Sequence, residues 1–196
     1  MQANHEGRAS SRFINAGDTS SEATGNPDTS VRREQLEQEY ERLWDEFGSS
    51  IGRLASSYES HMPAREDLLQ DIRLAIWTAL PRFRSQSSLR TFVFRIAHNR
   101  ALTHVWRRKT AGPVAEPEDV VDSRADPEVS AIQNANRSRL VEAIRGLPIP
   151  FRQVITLALE DLPHAEIAAV LGISENNVAV RMTRARKLLE EKMGSR

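Results

Sequence analysis

The amino-acid sequence predicts an all-α protein. It consists of two small helical bundles joined by an acidic flexible linker, and the C-terminal bundle carries a helix-turn-helix. Three observations predict this. Apolar residues recur at three- and four-residue steps through most of the chain after residue 30. No run shows the two-residue alternation of a half-buried strand. A stretch rich in acids, with Gly112, Pro113 and Pro117, divides the periodic segments into two sets. A chain of 196 residues has room for one or two domains.

Residues 1–30 are rich in Ser, Thr, Asn, Gly and Ala, and are expected to be a disordered tail that buries too little surface to offset ordering entropy. Residues 31–109 form the first predicted bundle. Tyr40, Leu43, Trp44, Phe47, Ile51, Leu54 and Tyr58 make the apolar stripe of a long helix, with Gly48 and Gly52 as points where it could loosen. His61-Met62-Pro63 breaks it. Leu68, Leu69, Ile72, Ile76 and Leu80 mark a second helix over 64–80, ended by Pro81. A polar loop follows over 82–88. A third helix over 89–108 turns Leu89, Phe92, Val93, Ile96 and Val105 inward. The linker is placed at 110–136 and the second bundle at 137–193. There Leu140, Ile144 and Leu147 form a stripe ended by Gly146 and Pro148, and Phe151, Val154, Ile155 and Leu159 form another.

Net charge is zero, with 27 Lys+Arg against 27 Asp+Glu, but the charges are segregated. Arg82 to Lys109 holds eight basic residues and no acid; Thr110 to Asn136 holds six acids and only Arg124. Such blocks point to partners of opposite charge rather than to a neutral surface. Cysteine is absent, which excludes disulfides and cysteine-ligated metals and fits a reducing compartment. No signal-peptide-like run opens the chain, and no stretch approaches the ~20 apolar residues of a membrane helix. The expected location is the cytoplasm.

The stretch His164–Lys187, HAEIAAVLGISENNVAVRMTRARK, has helix-turn-helix spacing. Ala168 is small where two helices approach, Gly172 lies at the turn and Val178 on the inner face of the second helix. Ile167, Leu171 and Ile173 complete a small core. Ser174 is placed to cap the second helix. Glu175, Asn176 and Asn177 then project from its first turn, with Arg181, Arg184, Arg186 and Lys187 beyond. Asn suits adenine edges and Arg suits guanine or phosphate. The bland alternative is two packed helices with a basic solvent face.

The segment RFRSQSSLRTFVFRIAHNRALTHVWRRK, Arg82–Lys109, mixes basic residues with Phe83, Phe94, His98, His104 and Trp106. Exposed rings would suggest unpaired bases, which can stack on them. Alternatively the rings are core and the arginines a solvated face. Phe92 is assigned to the core, and Phe83 and Trp106 stay open between the two. His98 and His104 lack the spacing of a helical metal pair.

In their order and separation, three stretches resemble the extracytoplasmic-function (ECF) group of bacterial RNA polymerase sigma factors. They are DLLQDIRLAIWTALPRFR (67–84), SLRTFVFRIAHNRALTHVWRRK (88–109) and FRQVITLALEDLPHAEIAAVLGISENNVAVRMTRARKLL (151–189). The resemblance implies a promoter-specificity subunit without catalysis, metal or cofactor of its own. Its implied partners are core RNA polymerase and promoter DNA, both duplex and melted non-template strand. An anti-sigma factor is a further candidate partner, because the family is often held inactive by one. Carried over residue by residue, Asp67, Gln70 and Asp71 match polar contacts to the polymerase clamp helices. Phe83, Ser85 and Gln86 match the loop that captures a flipped minus-ten base, and Asn99 matches a further base contact. Arg95, Arg100, Arg107 and Arg108 would hold phosphates. Glu175, Asn176, Asn177 and Arg181 match positions that read or flank the minus-thirty-five duplex, with Arg184 on its phosphates. The acidic linker resembles the segment that runs near the RNA path.

The chain departs from the family in two places. Asn177-Val178-Ala179 stands where members often carry a Gly-Thr-Val-Lys-like start to the recognition helix, so Ala179 removes a usual basic contact. The tail is also longer than the family minimum. Two other functions remain open on the residues: an ordinary duplex-binding regulator, which does not need the 67–84 stretch, and a protein that occupies polymerase without selecting promoters. An enzyme is more remote, since no nucleotide-binding glycine loop, metal cluster or nucleophile–base pair is present.

Overall fold

Seven α-helices and one 3-10 turn make up residues 27–111 and 129–194, which the computed structural model describes. They are α1 (Pro27–Tyr58), α2 (Met62–Ala79), the 3-10 turn Leu80–Arg82, α3 (Leu89–Ala111), α4 (Val129–Arg145), α5 (Ile149–Ala158), α6 (His164–Leu171) and α7 (Glu175–Gly194). Most of the expected tail and the expected linker between 112 and 128 lie outside the described residues. Two helices reach into those segments: α1 begins at Pro27 and α4 at Val129. Pro27 opens α1, Pro63 lies in the first turn of α2 and Pro150 in that of α5. Each is a position where a missing N–H removes no helical hydrogen bond.

α1 passes unbroken through Gly48 and Gly52. A Cβ at Gly48 would meet the Trp44 ring at 3.0 Å, so the glycine makes room for that ring. The stripe on α1 faces α2 and α3, burying Leu43, Phe47, Ile51, Leu54 and Tyr58. From α2 come Leu68, Ile72 and Ile76. α3 contributes Val93, Phe94, Ala97 and Ala101, a line shifted by one position from the predicted stripe: Phe92 and Ile96 are only half-buried. Phe94 packs edge-on to Phe47, centroids 6.3 Å apart.

In the second bundle Ile144, Leu147, Val154, Leu157, Ile167, Val178, Met182 and Ala185 are buried together. Gly172 ends α6 at φ 67°, a left-handed conformation that glycine adopts without Cβ strain. The Ile173 amide returns to the Ala168 carbonyl at 3.1 Å, closing the turn. Ser174 Oγ then accepts the Asn177 amide at 3.2 Å, the cap expected for the second helix.

The two bundles pack on each other, α3 against α6 and α1 against α4 and α5. Polar groups cross this seam. Thr156 and Ser57 hydroxyls pair at 3.1 Å, with Ser57 donating onward to the Leu54 carbonyl at 2.7 Å. Arg145 Nε donates to the Ser56 carbonyl at 2.9 Å. His98 is enclosed between Tyr58 Oη at 3.3 Å and Gln153 Nε2 at 2.9 Å. With that amide donating to Nε2, His98 is neutral and carries its proton on Nδ1.

Candidate nucleic-acid interface

The loop between Arg82 and Leu89 is fixed at both ends. Phe83 packs on Phe92, ring centroids 4.8 Å apart, so its ring is half-buried at the loop's entry rather than free in solvent. At the exit, Ser88 Oγ accepts the Thr91 amide at 3.0 Å and donates to Thr91 Oγ1 at 2.9 Å, which starts α3. Between these anchors Ser85 and Gln86 are exposed. Ser85 holds φ 53°, a left-handed backbone that a non-glycine residue rarely adopts. Such strain persists where the flanking structure dictates it, and it clusters at ligand-contacting loops.

Phe92 and Asn99 are seven residues apart, two turns along one face of α3. The face that receives Phe83 therefore continues to Asn99, whose side chain is exposed together with Arg95 and Arg100. Arg100 also lines a cleft of ≈ 460 Å³ between α2 and α3 with Asp71, Leu74, Thr78, Arg82 and Phe92. Among the described residues, no group of His, Cys, Asp and Glu could hold a metal. No described helix is long and apolar enough to cross a membrane.

The rings of the basic stretch divide. Phe94 and His98 are core residues, 1% and 2% exposed, because α1 covers α3 from one side and the second bundle from the other. His104 is half-buried. Trp106 is 59% exposed beside Arg107 and Lys109. The basic residues divide as well. Arg107 is exposed and lies 3.9 Å from Asp71 of α2. Arg108 is held by the carboxylate of Glu59, only 2% exposed at the end of α1, which also accepts from His104 Nε2 at 2.7 Å and from the His61 amide at 2.9 Å. Burial pushes the Glu59 carboxyl up, but these hydrogen bonds outweigh it and hold it below its usual range.

On α7 the buried face Val178–Met182–Ala185 packs inward. Glu175, Asn176, Asn177 and Arg184 are exposed, and Arg181 Nε donates to Asn177 Oδ1 at 2.8 Å. On α2, Asp67, Gln70 and Asp71 are exposed, opposite the buried line Leu68–Ile72–Ile76.

A sigma-70 region 2 family model matches residues 43–111, and a sigma-70 region 4 family model matches residues 137–189. Together they take in every candidate residue above. The chain is a sigma-70 protein of the ECF group. This sigma factor is 29% identical over 154 residues to the ECF RNA polymerase sigma-E factor of Escherichia coli K12, covering 72% of this chain and 81% of that one. It is 26% identical to the RNA polymerase sigma factor NccH of Alcaligenes xylosoxydans xylosoxydans, covering 76% and 83%. Among solved structures, CnrH in complex with the cytosolic domain of CnrY superposes with TM-score 0.62 at 25% identity, over 81% of this chain and 90% of that one. The sigma factor RpoE of Bartonella quintana, solved with the anti-sigma factor NepR, has the same fold at TM-score 0.59 and 20% identity, over 79% and 98%.

The region 2 match thus runs from within α1 to the end of α3 and the region 4 match from within α4 into α7, and the sigma factor serves promoter recognition and transcription initiation with core RNA polymerase. Sequence reasoning missed two sets of residues. Leu74 is 64% exposed and shares a face of α2 with Gln70 and Asp71; its place outside the 68–72–76 line was the available signal. The residues that join the regions, Arg53, Arg90 and Glu160 among them, carry no periodic signal.

Proposed function

We propose that this sigma factor divides promoter recognition between its two regions. In region 2, the loop 83–88 takes up a base flipped from the minus-ten non-template strand, with Ser85 and Gln86 lining the site and Phe83 as its wall. Asn99 meets a promoter base on the adjoining face of α3. Arg95, Arg100 and Arg107 hold phosphates. Arg108 joins them with the edge of its guanidinium that Glu59 leaves free, since five donors exceed what one carboxylate takes. A flipped base loses stacking and pairing, which an enclosing loop and an Asn side chain replace. In region 4, α7 enters the major groove of the minus-thirty-five element. Glu175, Asn176, Asn177 and Arg181 lie at the base edges, and Arg184 on a phosphate. Asp67, Gln70 and Asp71, with exposed Leu74, form the docking surface for the polymerase clamp helices.

The observation that carries this reading is the Phe83–Phe92 contact, which pins the loop over the face of α3 that bears Asn99. The bond-forming chemistry belongs to the polymerase, and the sigma factor works in the cytoplasm. Because CnrH was solved with CnrY, and RpoE with an anti-sigma factor, an anti-sigma factor is the class of inhibitor assigned to this chain too.

Phe83→Ala and Asn99→Ala test the reading. In holoenzyme reconstituted with core polymerase, each should weaken promoter opening at least tenfold, read by permanganate reactivity of unpaired thymines. Binding to core should change less than twofold. Loss of core binding in parallel with opening would make both residues structural.

A further inference from the structure

Of the rings between Arg82 and Lys109, only Trp106 is exposed; it stands 59% open near the C-terminal end of α3. An indole left in water gains little from the core, and helix formation does not favour it over Ala, Lys or Arg.

Its place on the helix is specific. Phe92, Asn99 and Trp106 recur every seven residues, so they lie along one line of α3 that drifts only about 20° per step. The line begins beneath Phe83, which packs on Phe92. Thr103 and Thr110 fill the gaps. Thr103 Oγ1 donates to the Asn99 carbonyl at 2.9 Å, and Thr110 Oγ1 donates to the Trp106 carbonyl at 2.8 Å. Both hydroxyl protons are therefore committed to the helix. The Asn99 amide and the Trp106 ring are the exposed groups that remain for a ligand beyond the loop. Exposed Arg100 and Arg107 run along one flank of the line, and exposed Lys109 lies on the other. α3 contains no acidic residue.

A flat ring set among cations fits one kind of ligand best. An apolar protein groove would cover the indole but leave the cations without counter-charges. A duplex supplies phosphates but keeps its base faces stacked on one another. A single strand supplies both, base faces for the ring and phosphates for the cations.

We propose that Trp106 stacks on an unpaired base of the melted non-template strand, as a second grip beyond Asn99. Seven residues of helix span ~10.5 Å, or about three nucleotides at ~3.4 Å per step. The ring adds affinity without sequence preference, since every base has a face to stack on. It holds the strand away from its complement once the loop and Asn99 have selected it. The inference rests on the assignment of α3 to the minus-ten element, and the experiment lets the two fail separately.

Holoenzyme reconstituted with core polymerase is titrated with the labelled non-template strand of a promoter from which it initiates. Trp106→Ala should weaken strand binding at least about fivefold, the lower end of what one base–aromatic stack contributes. Trp106→Leu should lose as much, because leucine is apolar but cannot stack. Trp106→Tyr should stay within about threefold of wild type, since a smaller ring still stacks. Core binding should change less than twofold in all three. Abasic sites placed one at a time then locate the base. At one position, about three nucleotides from the one coupled to Asn99, removing the base should weaken the wild type about fivefold and Trp106→Ala less than twofold. Unchanged strand affinity in Trp106→Ala would overturn the inference, as would a leucine variant that binds as well as the tyrosine one. A deficit that appears equally in core binding would do the same. If Asn99→Ala couples to a base and Trp106→Ala to none, this inference alone falls. If neither couples to any base, the assignment of α3 falls and carries this inference with it.

Discussion

Arg108 in the last turns of α3 and Glu59 at the C-terminal end of α1 form an ion pair in which the carboxylate is almost wholly buried and the guanidinium about one-third exposed. The pair ties the far end of α3 to the α1–α2 junction. Breaking a buried pair from one side leaves the other charge poorly solvated, at ~3 kcal/mol or more. Here the exposed edge of Arg108 reduces that. Glu59→Ala is expected to cost region 2 about 2–3 kcal/mol, measured by urea denaturation. Because the folded carboxyl lies below its usual range, the stabilisation is present above the unfolded pKa and disappears as pH falls through the folded one.

His98 predicts a different acid dependence. Burial between α1, α3 and α5 lowers its pKa to about 4 from 6.5. A neutral buried imidazole stabilises the folded form fully above 6.5, and that contribution falls away between 6.5 and 4 as the unfolded chain takes up the proton. The loss is on the order of 3 kcal/mol. Thermal melting across this range should show the slope in the wild type and much less of it in His98→Gln. An unchanged slope in His98→Gln would place the titration elsewhere.

Gly172 should tolerate little. A Cβ there meets no neighbour, so any penalty comes from the positive φ alone. Gly172→Ala is expected to cost region 4 roughly 1 kcal/mol and Gly172→Asn less, since Asn enters the left-handed region more readily. Melting temperatures of the two variants give the order directly.

For region 4 on DNA, Arg184→Ala should weaken minus-thirty-five binding by a similar factor on all sequences and flatten the log K–log salt slope by about one. Asn177→Ala should instead change which sequences are preferred. It removes both the proposed base-edge group and the oxygen that holds Arg181. Holoenzyme binding to a set of upstream elements at several salt concentrations separates the two behaviours.

Leu74→Ala on α2 removes an exposed side chain and should alter stability by less than ~0.5 kcal/mol. On the proposed docking face it should still weaken core binding about tenfold, by competition against a reference sigma factor.

The sequence carried the helices well where one face meets one core. The α1 stripe from Leu43 to Tyr58 and the α2 line Leu68–Ile72–Ile76 are buried as their spacing requires. The Ala168–Gly172–Val178 turn and the Ser174 cap were also legible, because each rests on a local backbone demand. α3 was read less well. It is covered on two sides, so Phe94 and His98 fall inside although they sit in a basic run, and no single 3.6-residue stripe describes it. The pairing of Arg53 with Glu160, 107 residues apart, was invisible for a related reason. A buried carboxylate and a solvated one look alike until the fold brings the arginine to it.

Core RNA polymerase, this protein and a library of promoter templates, combined in one reconstituted transcription reaction, test the central claim most directly. Initiation should occur from a subset of templates sharing two spaced elements, and Asn99→Ala should abolish most of it while the holoenzyme still assembles. Normal assembly with core and no template-selective initiation by the wild-type protein would contradict the account.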